Sequence, residues 1–183
     1  VVFGHRGIAR EDPDWYAATL LFEVLAGGFG SRLTEEIREK RGLTYGISAY
    51  PLPLDHSALI VGGVSTVNER VVETIELLKQ IWGKFGAEGP TSQEVRDAKD
   101  YVNGSYNLRF SNSGAIAGVL AAIQRQNLGI DYIERRAQII ASIKIEDLKR
   151  VAKRLFRAED LTFVVVGKPA GLKATRAAPD LAP

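Results

Sequence analysis

The chain has 183 residues, of which 45% are hydrophobic and 25% charged, and its formal net charge is +2. That composition is long enough and apolar enough for a globular body with a real core, and so small and evenly spread a charge excludes a dedicated nucleic-acid binder. Cysteine and methionine are both absent, so disulfide and thiolate chemistry are excluded, and an oxidising or a reducing compartment suits the chain equally.

The lack of a first methionine predicts a processed product, an excised domain or a trimmed fragment, with any targeting segment upstream. No apolar run approaches the ~20 residues that a membrane helix needs. In chain order, Val1 to Arg10 reads as a strand interrupted by Gly4 and Gly7. Glu11-Asp12-Pro13-Asp14 is a helix-start signal, its acids suited to the positive end of a helix dipole. Trp15 to Ala26 is apolar nearly all round, which predicts a helix buried on most sides and ended by Gly27-Gly28-Phe29-Gly30.

Ser31 can cap the next helix, with Leu33 and Ile37 on one face, Lys40 and Arg41 at the negative end and Gly42 just past it. Leu43 to Tyr50 then alternates with period two and predicts a strand, with Leu43, Tyr45, Ile47 and Ala49 on one face. Pro51 to His56 reads as a turn and Ser57 to Val64 as the returning strand of a hairpin.

Val71 to Phe85 carries the spacing of a long amphipathic helix ending near Gly86 and Gly89. Thr91-Ser92-Gln93-Glu94 is spaced as a capping box for a helix reaching about Leu108. Ser113 to Leu128 is a small-residue helix stopped by Gly129, and Asp131 to Ser142 and Glu146 to Arg157 are two more. Leu161 to Gly167 is a β-branched run of the kind found in a strand covered on both faces. The predicted architecture is α+β: a mostly antiparallel sheet covered by helices on one face, in one body spanning 1–169, with 170–183 as a flexible tail.

Several sites fail on their spacing. Gly28-x-Gly30 is followed by Leu33 where a dinucleotide fingerprint needs glycine, and a helix rather than a strand precedes it. The two histidines, His5 on a strand and His56 in a turn, form neither His-Glu-x-x-His nor its inverse, so no zinc site is expected in this chain. Gly-x-Ser-x-Gly is absent, which leaves Ser31 a helix cap. Arg38, one turn before the helix end, and Tyr45, third in the following strand, can meet at one sheet corner and offer a guanidinium fork and a phenol to a carbonyl oxygen gaining negative charge. Spacing alone favours the plainer reading, Arg38 paired with a neighbouring glutamate and Tyr45 in the core, because ion-paired arginines and half-buried tyrosines are common.

The run LAGGFGSRLTEEIREKRGLTYGISAY resembles the C-terminal-half signature of the pitrilysin-like zinc peptidases, the insulysin and mitochondrial processing peptidase family. The elements that carry it are Leu25 to Gly28, Ser31-Arg32-Leu33 and Arg38-Glu39-Lys40-Arg41-Gly42-Leu43-Thr44-Tyr45, and the likeness runs to about Pro169, through Arg109-Phe110-Ser111. The resemblance implies the non-zinc-binding half of a duplicated α+β peptidase. Arg38 and Tyr45 match the pair that holds the peptide, partly bound as an added strand, while zinc activates water in a homologous half that bears His-x-x-Glu-His. This chain has no such motif, so it implies a zinc-bearing partner, upstream in the same polypeptide or a separate subunit, and inactivity alone. The other reading is a catalytically inactive structural subunit, as in respiratory-chain core proteins. The lack of cysteine favours a bacterial periplasm slightly over a mitochondrial matrix or a cytoplasm, and the compartment stays open.

Overall fold

The computed structural model describes residues 1–176; the end of the expected tail, 177–183, lies outside the described residues. Four strands, β1 (Val2–Arg6), β2 (Ile47–Pro53), β3 (Ala58–Val64) and β4 (Thr162–Val164), form one sheet in the order β2-β3-β1-β4. Every pairing is antiparallel. Six α-helices accompany it among the described residues: α1 (Trp15–Ala26), α2 (Val71–Glu88), α3 (Ser92–Gly104), α4 (Ser113–Arg125), α5 (Tyr132–Ser142) and α6 (Ile145–Leu155). None of the helices is long and apolar enough to cross a membrane.

The sheet is two-faced because its side chains alternate. Phe3, Ile47, Ala49, Ile60 and Val64 are buried beneath α1, α2 and α6, whereas Val2, Tyr50, Leu59 and Val164 are exposed on the other face. At the centre Trp82 of α2 meets Phe3 of β1, Phe22 of α1 and Phe156, which follows α6, at ring distances of 5.9, 6.3 and 5.1 Å. Helix α2 continues through Gly86 instead of ending there. A Cβ at that position would stand 2.0 Å from the carbonyl oxygen of Phe156, so the missing side chain lets the backbones of α2 and the α6 terminus touch.

Four of the predicted features differ from what forms. The strand after Gly42 begins at Ile47 rather than Leu43 and runs on through Pro51 to Pro53. Proline is tolerated there because β2 is an edge strand, whose outer amides have no ladder partner to lose. The turn shrinks to the segment closed by the amide of Leu54 donating to Ser57 at 2.8 Å. The last strand is only Thr162–Val164; it is the other edge, and its Thr162 and Val164 are exposed rather than covered on both faces. Between α1 and β2, the helix opened at Arg32 widens into a π-helix over Thr34–Glu39, marked by the amide of Lys40 donating to Glu35 at 2.9 Å.

Ion pairs tie the helices together. The acids before α1 do not cap it. Asp14 is buried and accepts from Arg150 at 2.6 Å and Arg154 at 2.7 Å, while Asp12 accepts from Arg154 at 2.6 Å, clamping the start of α1 to α6. The bond from Arg150 holds the Asp14 carboxyl below its ordinary range despite the opposing effect of burial. Such a depressed acid adds stability above its unfolded pKa and loses it as pH falls through the folded one. Asp14→Asn is expected to cost about 1–2 kcal/mol at pH 7, the arginines being half exposed, and to cost progressively less toward acid pH, read from urea midpoints.

Candidate functional site

The corner between α1 and β2 is built from a turn, a π-helix and a bend. After α1, Gly27 to Gly30 turns the chain, and the buried Ser31 hydroxyl donates to the Gly28 carbonyl at 2.7 Å and lies 3.1 Å from the Thr34 hydroxyl. Ser31 therefore fastens the turn rather than capping a free amide. Arg32 grips the neighbouring helix: Nε and a terminal nitrogen donate to the two Glu94 carboxylate oxygens at 2.6 and 2.7 Å, and the same nitrogen donates to the Gly89 carbonyl at 3.1 Å. Glu94 also closes the predicted capping box of α3, exchanging bonds with Thr91. Burial pushes the Glu94 carboxyl up, but Arg32 and Thr91 outweigh it and hold it below the ordinary range.

Arg38 sits in the π-helix. The other charges of this segment satisfy one another: Lys40 meets Glu35 at 2.8 Å and Glu36 at 2.7 Å, and Arg41 meets Glu36 at 2.7 Å. Arg38 is left with a weak contact to Glu39, its Nε 3.4 Å from the carboxylate, and its guanidinium lies 5.0 Å from the ring centre of the exposed Phe29. The segment ends at Gly42, whose φ of 58° is the left-handed conformation that glycine adopts without strain. Nested bonds from Gly42 to Arg38 and from Leu43 to Ile37, both 2.9 Å, close it.

Tyr45 is not the third residue of the strand. It stands on a bend two residues before β2, between buried Leu43 and Thr44 on one side and buried Ile47 on the other. The Thr44 hydroxyl donates to the Ser65 carbonyl at 2.6 Å and accepts from the Gly46 amide at 3.0 Å, so the bend is pinned to the end of β3. Bending breaks the alternation, which turns the Tyr45 ring outward instead of inward with Leu43 and Ile47: it is 97% exposed. Arg38 and Tyr45 thus share one corner, but among the described contacts the guanidinium stacks on Phe29 and the phenol stands free.

The residues do not suit a metal. Among the described residues no cluster of three or more His, Cys, Asp or Glu side chains could hold one. His5 packs edge-on against Trp82, ring centres 5.7 Å apart, and its Nδ1 lies 2.8 Å from the Arg6 carbonyl. A carbonyl only accepts, so Nδ1 carries the proton and Nε2 is left bare and buried without a partner. Burial accordingly pushes the His5 pKa down, with the Arg6 carbonyl opposing. Below pH ~6.5 the unfolded chain takes up a proton that the folded chain resists, so stability falls as pH drops from that value toward the folded pKa. His5→Phe is expected to remove this decline; denaturant midpoints of both proteins between pH 7 and 5.5 measure it.

Two cavities are lined by neither Arg38 nor Tyr45. A groove of about 420 Å³ runs beside the glycine turn between α1 and α3, with Phe29, Tyr101 and the carboxyl of Glu23, pushed up by burial, on its walls. A larger one, about 580 Å³, opens between α1, α4 and α5 and gathers arginines and tyrosines scattered from Arg10 to Arg136. Sequence reading missed both, because the residues of the larger one come from four separate segments and share no spacing.

Comparison with known proteins identifies this architecture. The family model described as "Peptidase M16 inactive domain" matches residues 1–102, from β1 to within α3. The chain belongs to the peptidase M16 inactive-domain family. An uncharacterized zinc protease of Streptomyces coelicolor is 27% identical over 156 residues, covering 84% of this chain and 33% of that protein. The non-peptidase homolog YmxG of Helicobacter pylori is 27% identical over 153 residues, 84% of this chain and 35% of that protein. The chain therefore spans about a third of the length of these curated relatives. The crystal structure of a peptidase M16 inactive domain from Pseudomonas fluorescens superposes with a TM-score of 0.79 at 30% identity, covering 87% of this chain and 38% of that one. The inactive peptidase domain of a zinc protease from Bordetella parapertussis shares the fold, with a TM-score of 0.76 at 13% identity and 93% of each chain covered. The M16 inactive-domain match takes in the whole corner, from the glycine turn through Arg38 and Tyr45 to β2.

Proposed function

We propose that this M16 inactive domain is the substrate-holding half of a zinc metallopeptidase, with Arg38 and Tyr45 binding the scissile peptide carbonyl and a homologous half, in the same polypeptide or in another subunit, carrying the metal. The observation that carries the reading is the wholly exposed phenol of Tyr45 on a bend that Thr44 fastens to β3. Burial gives no reason for an aromatic there, and its backbone is held while its hydroxyl is spent on no partner. On the same segment between α1 and β2, Arg38 has a guanidinium steadied by Phe29 and only weakly engaged by Glu39, so most of its donors remain open. Two such donors on fixed elements suit an oxygen that becomes more negative during reaction. The free outer edge of β2, which starts two residues later, supports an extended peptide added as a strand as far as Pro51.

Zinc in the partner half supplies the activated water; this chain positions and polarises. A second reading, a structural subunit without peptidase activity, is favoured by the Helicobacter relative being named a non-peptidase homolog. The two part in one experiment. Alone, the chain is expected to bind no stoichiometric zinc by elemental analysis and to cleave no peptide. Mixed with a homologous half bearing His-x-x-Glu-His, it is expected to restore turnover that Tyr45→Phe lowers. Stoichiometric zinc on the isolated chain overturns the half-domain reading, failure to restore turnover leaves the structural subunit, and turnover indifferent to Tyr45 removes the phenol from the proposal.

A further inference from the structure

The cavity of about 580 Å³ between α1, α4 and α5 is lined by Arg10, Arg109 and Arg136 and by no carboxylate. None of the three forms an ion pair among the described residues, although the chain pairs many of its other arginines closely. Arg136 is the informative one. It is 9% exposed, and its guanidinium lies 4.1 Å from the ring centre of Tyr106. Its remaining bonds are long, 3.3 Å to the Val102 carbonyl and 3.5 Å to the Asn103 side chain. A buried cation without a counterion is expensive, and ring and carbonyl contacts offset only part of that cost.

The rest of the lining adds two more cations, a phenol pair and apolar surface to the same cavity. Arg10 donates to Gln126 at 2.8 Å and to the Tyr16 hydroxyl at 3.2 Å, which aims its guanidinium. Arg109 is exposed, with its guanidinium 5.9 Å from the ring centre of Tyr106. Burial, with Tyr16 nearby, pushes the Tyr132 pKa up, so its hydroxyl stays protonated. Trp15, Val119, Ile123 and Leu128 complete the walls with apolar surface.

We propose that this cavity binds an organic carboxylate, its anion against the three guanidinium groups and its aromatic or aliphatic body against Trp15 and α4. A guanidinium fork accepts a carboxylate in two parallel bonds, and a cavity of this size takes a small organic body as well as the anion. A bare inorganic anion would leave the apolar walls wet. The carboxylate comes either from a free small acid or from the C-terminus of a peptide. The inference is independent of the roles of Arg38 and Tyr45, which line neither cavity.

Calorimetry on the 183-residue chain tests it. The probes are 3-phenylpropanoate, the tripeptide Ala-Ala-Phe with a free C-terminus, the amides of both, and phenyl phosphate. The acids are expected to bind and the amides not. Arg10→Gln and Arg109→Gln, both outside the core, are each expected to weaken binding roughly 10-fold, a charged hydrogen bond being lost. Lys153→Gln, exposed on α6, is expected to leave it unchanged. Tripeptide binding well above that of the free acid assigns the peptide terminus; equal binding assigns the small acid. Equal affinity for amide and acid, indifference to both arginine substitutions, binding weakened as much by Lys153→Gln, or no acid binding at millimolar concentration overturns the proposal. So does phenyl phosphate binding 10-fold tighter than the acids.

Discussion

Trp82→Ala is expected to remove a large part of the protein's stability and to lower its denaturant midpoint more than any other substitution named here. The indole is fully buried and joins four elements through edge and tilted contacts with Phe3, His5, Phe22 and Phe156. Deleting a large core aromatic leaves a cavity that the surrounding helices cannot fill, at a cost of about 3–5 kcal/mol. That is a large fraction of the roughly 5–15 kcal/mol that holds a domain of this size. Trp82→Phe is the informative companion. It keeps most of the ring surface and removes an indole N–H that is buried without an acceptor, so its cost is expected to be well below that of alanine. Denaturant midpoints decide: a loss under ~1 kcal/mol for Trp82→Ala would mean that the aromatic cluster is not the hub of the core.

Tyr45→Phe is expected to reduce turnover of the reconstituted peptidase by about 100-fold, the loss seen when one preorganised oxyanion donor is removed. The drop is expected mainly in kcat, because the phenol strengthens its bond only as charge develops on the carbonyl oxygen. Stability is expected to stay within ~0.5 kcal/mol, since the substitution removes one hydroxyl from a side chain that is almost wholly exposed. That contrast separates a role in reaction from a role in folding. Arg38→Lys is expected to lower activity too while keeping the charge, because lysine has neither the fork nor the planar face that stacks on Phe29. Full turnover in the Tyr45→Phe protein would remove the phenol from the mechanism.

The two candidate residues were visible in the sequence as types and spacing, but their surroundings were not. Period-two alternation placed Tyr45 inward with Leu43 and Ile47, and that pattern was broken by the hydroxyl of Thr44 reaching across to Ser65, twenty-one residues away. The π-helix likewise leaves no mark in helical periodicity; it is a matter of one inserted residue, seen in the Lys40-to-Glu35 bond. The final β-branched run reads as a covered strand, yet the strand pairs along one edge only, with β1, and its exposed residues follow from that place in the sheet order.

By itself the sequence determined the α+β class, the starts of α1 and α3, the hairpin, the lack of a metal-binding motif and the family signature. All of these rest on contacts within a few residues or on spacing along one element, where local chemistry is enough. Tertiary structure alone decided which way Tyr45 faces, what steadies Arg38, why Asp12 and Asp14 bind α6 instead of capping α1, and that three arginines without counterions surround one cavity. Those facts depend on which distant side chains come within about 3–5 Å of one another, and packing sets such distances where spacing along the chain cannot.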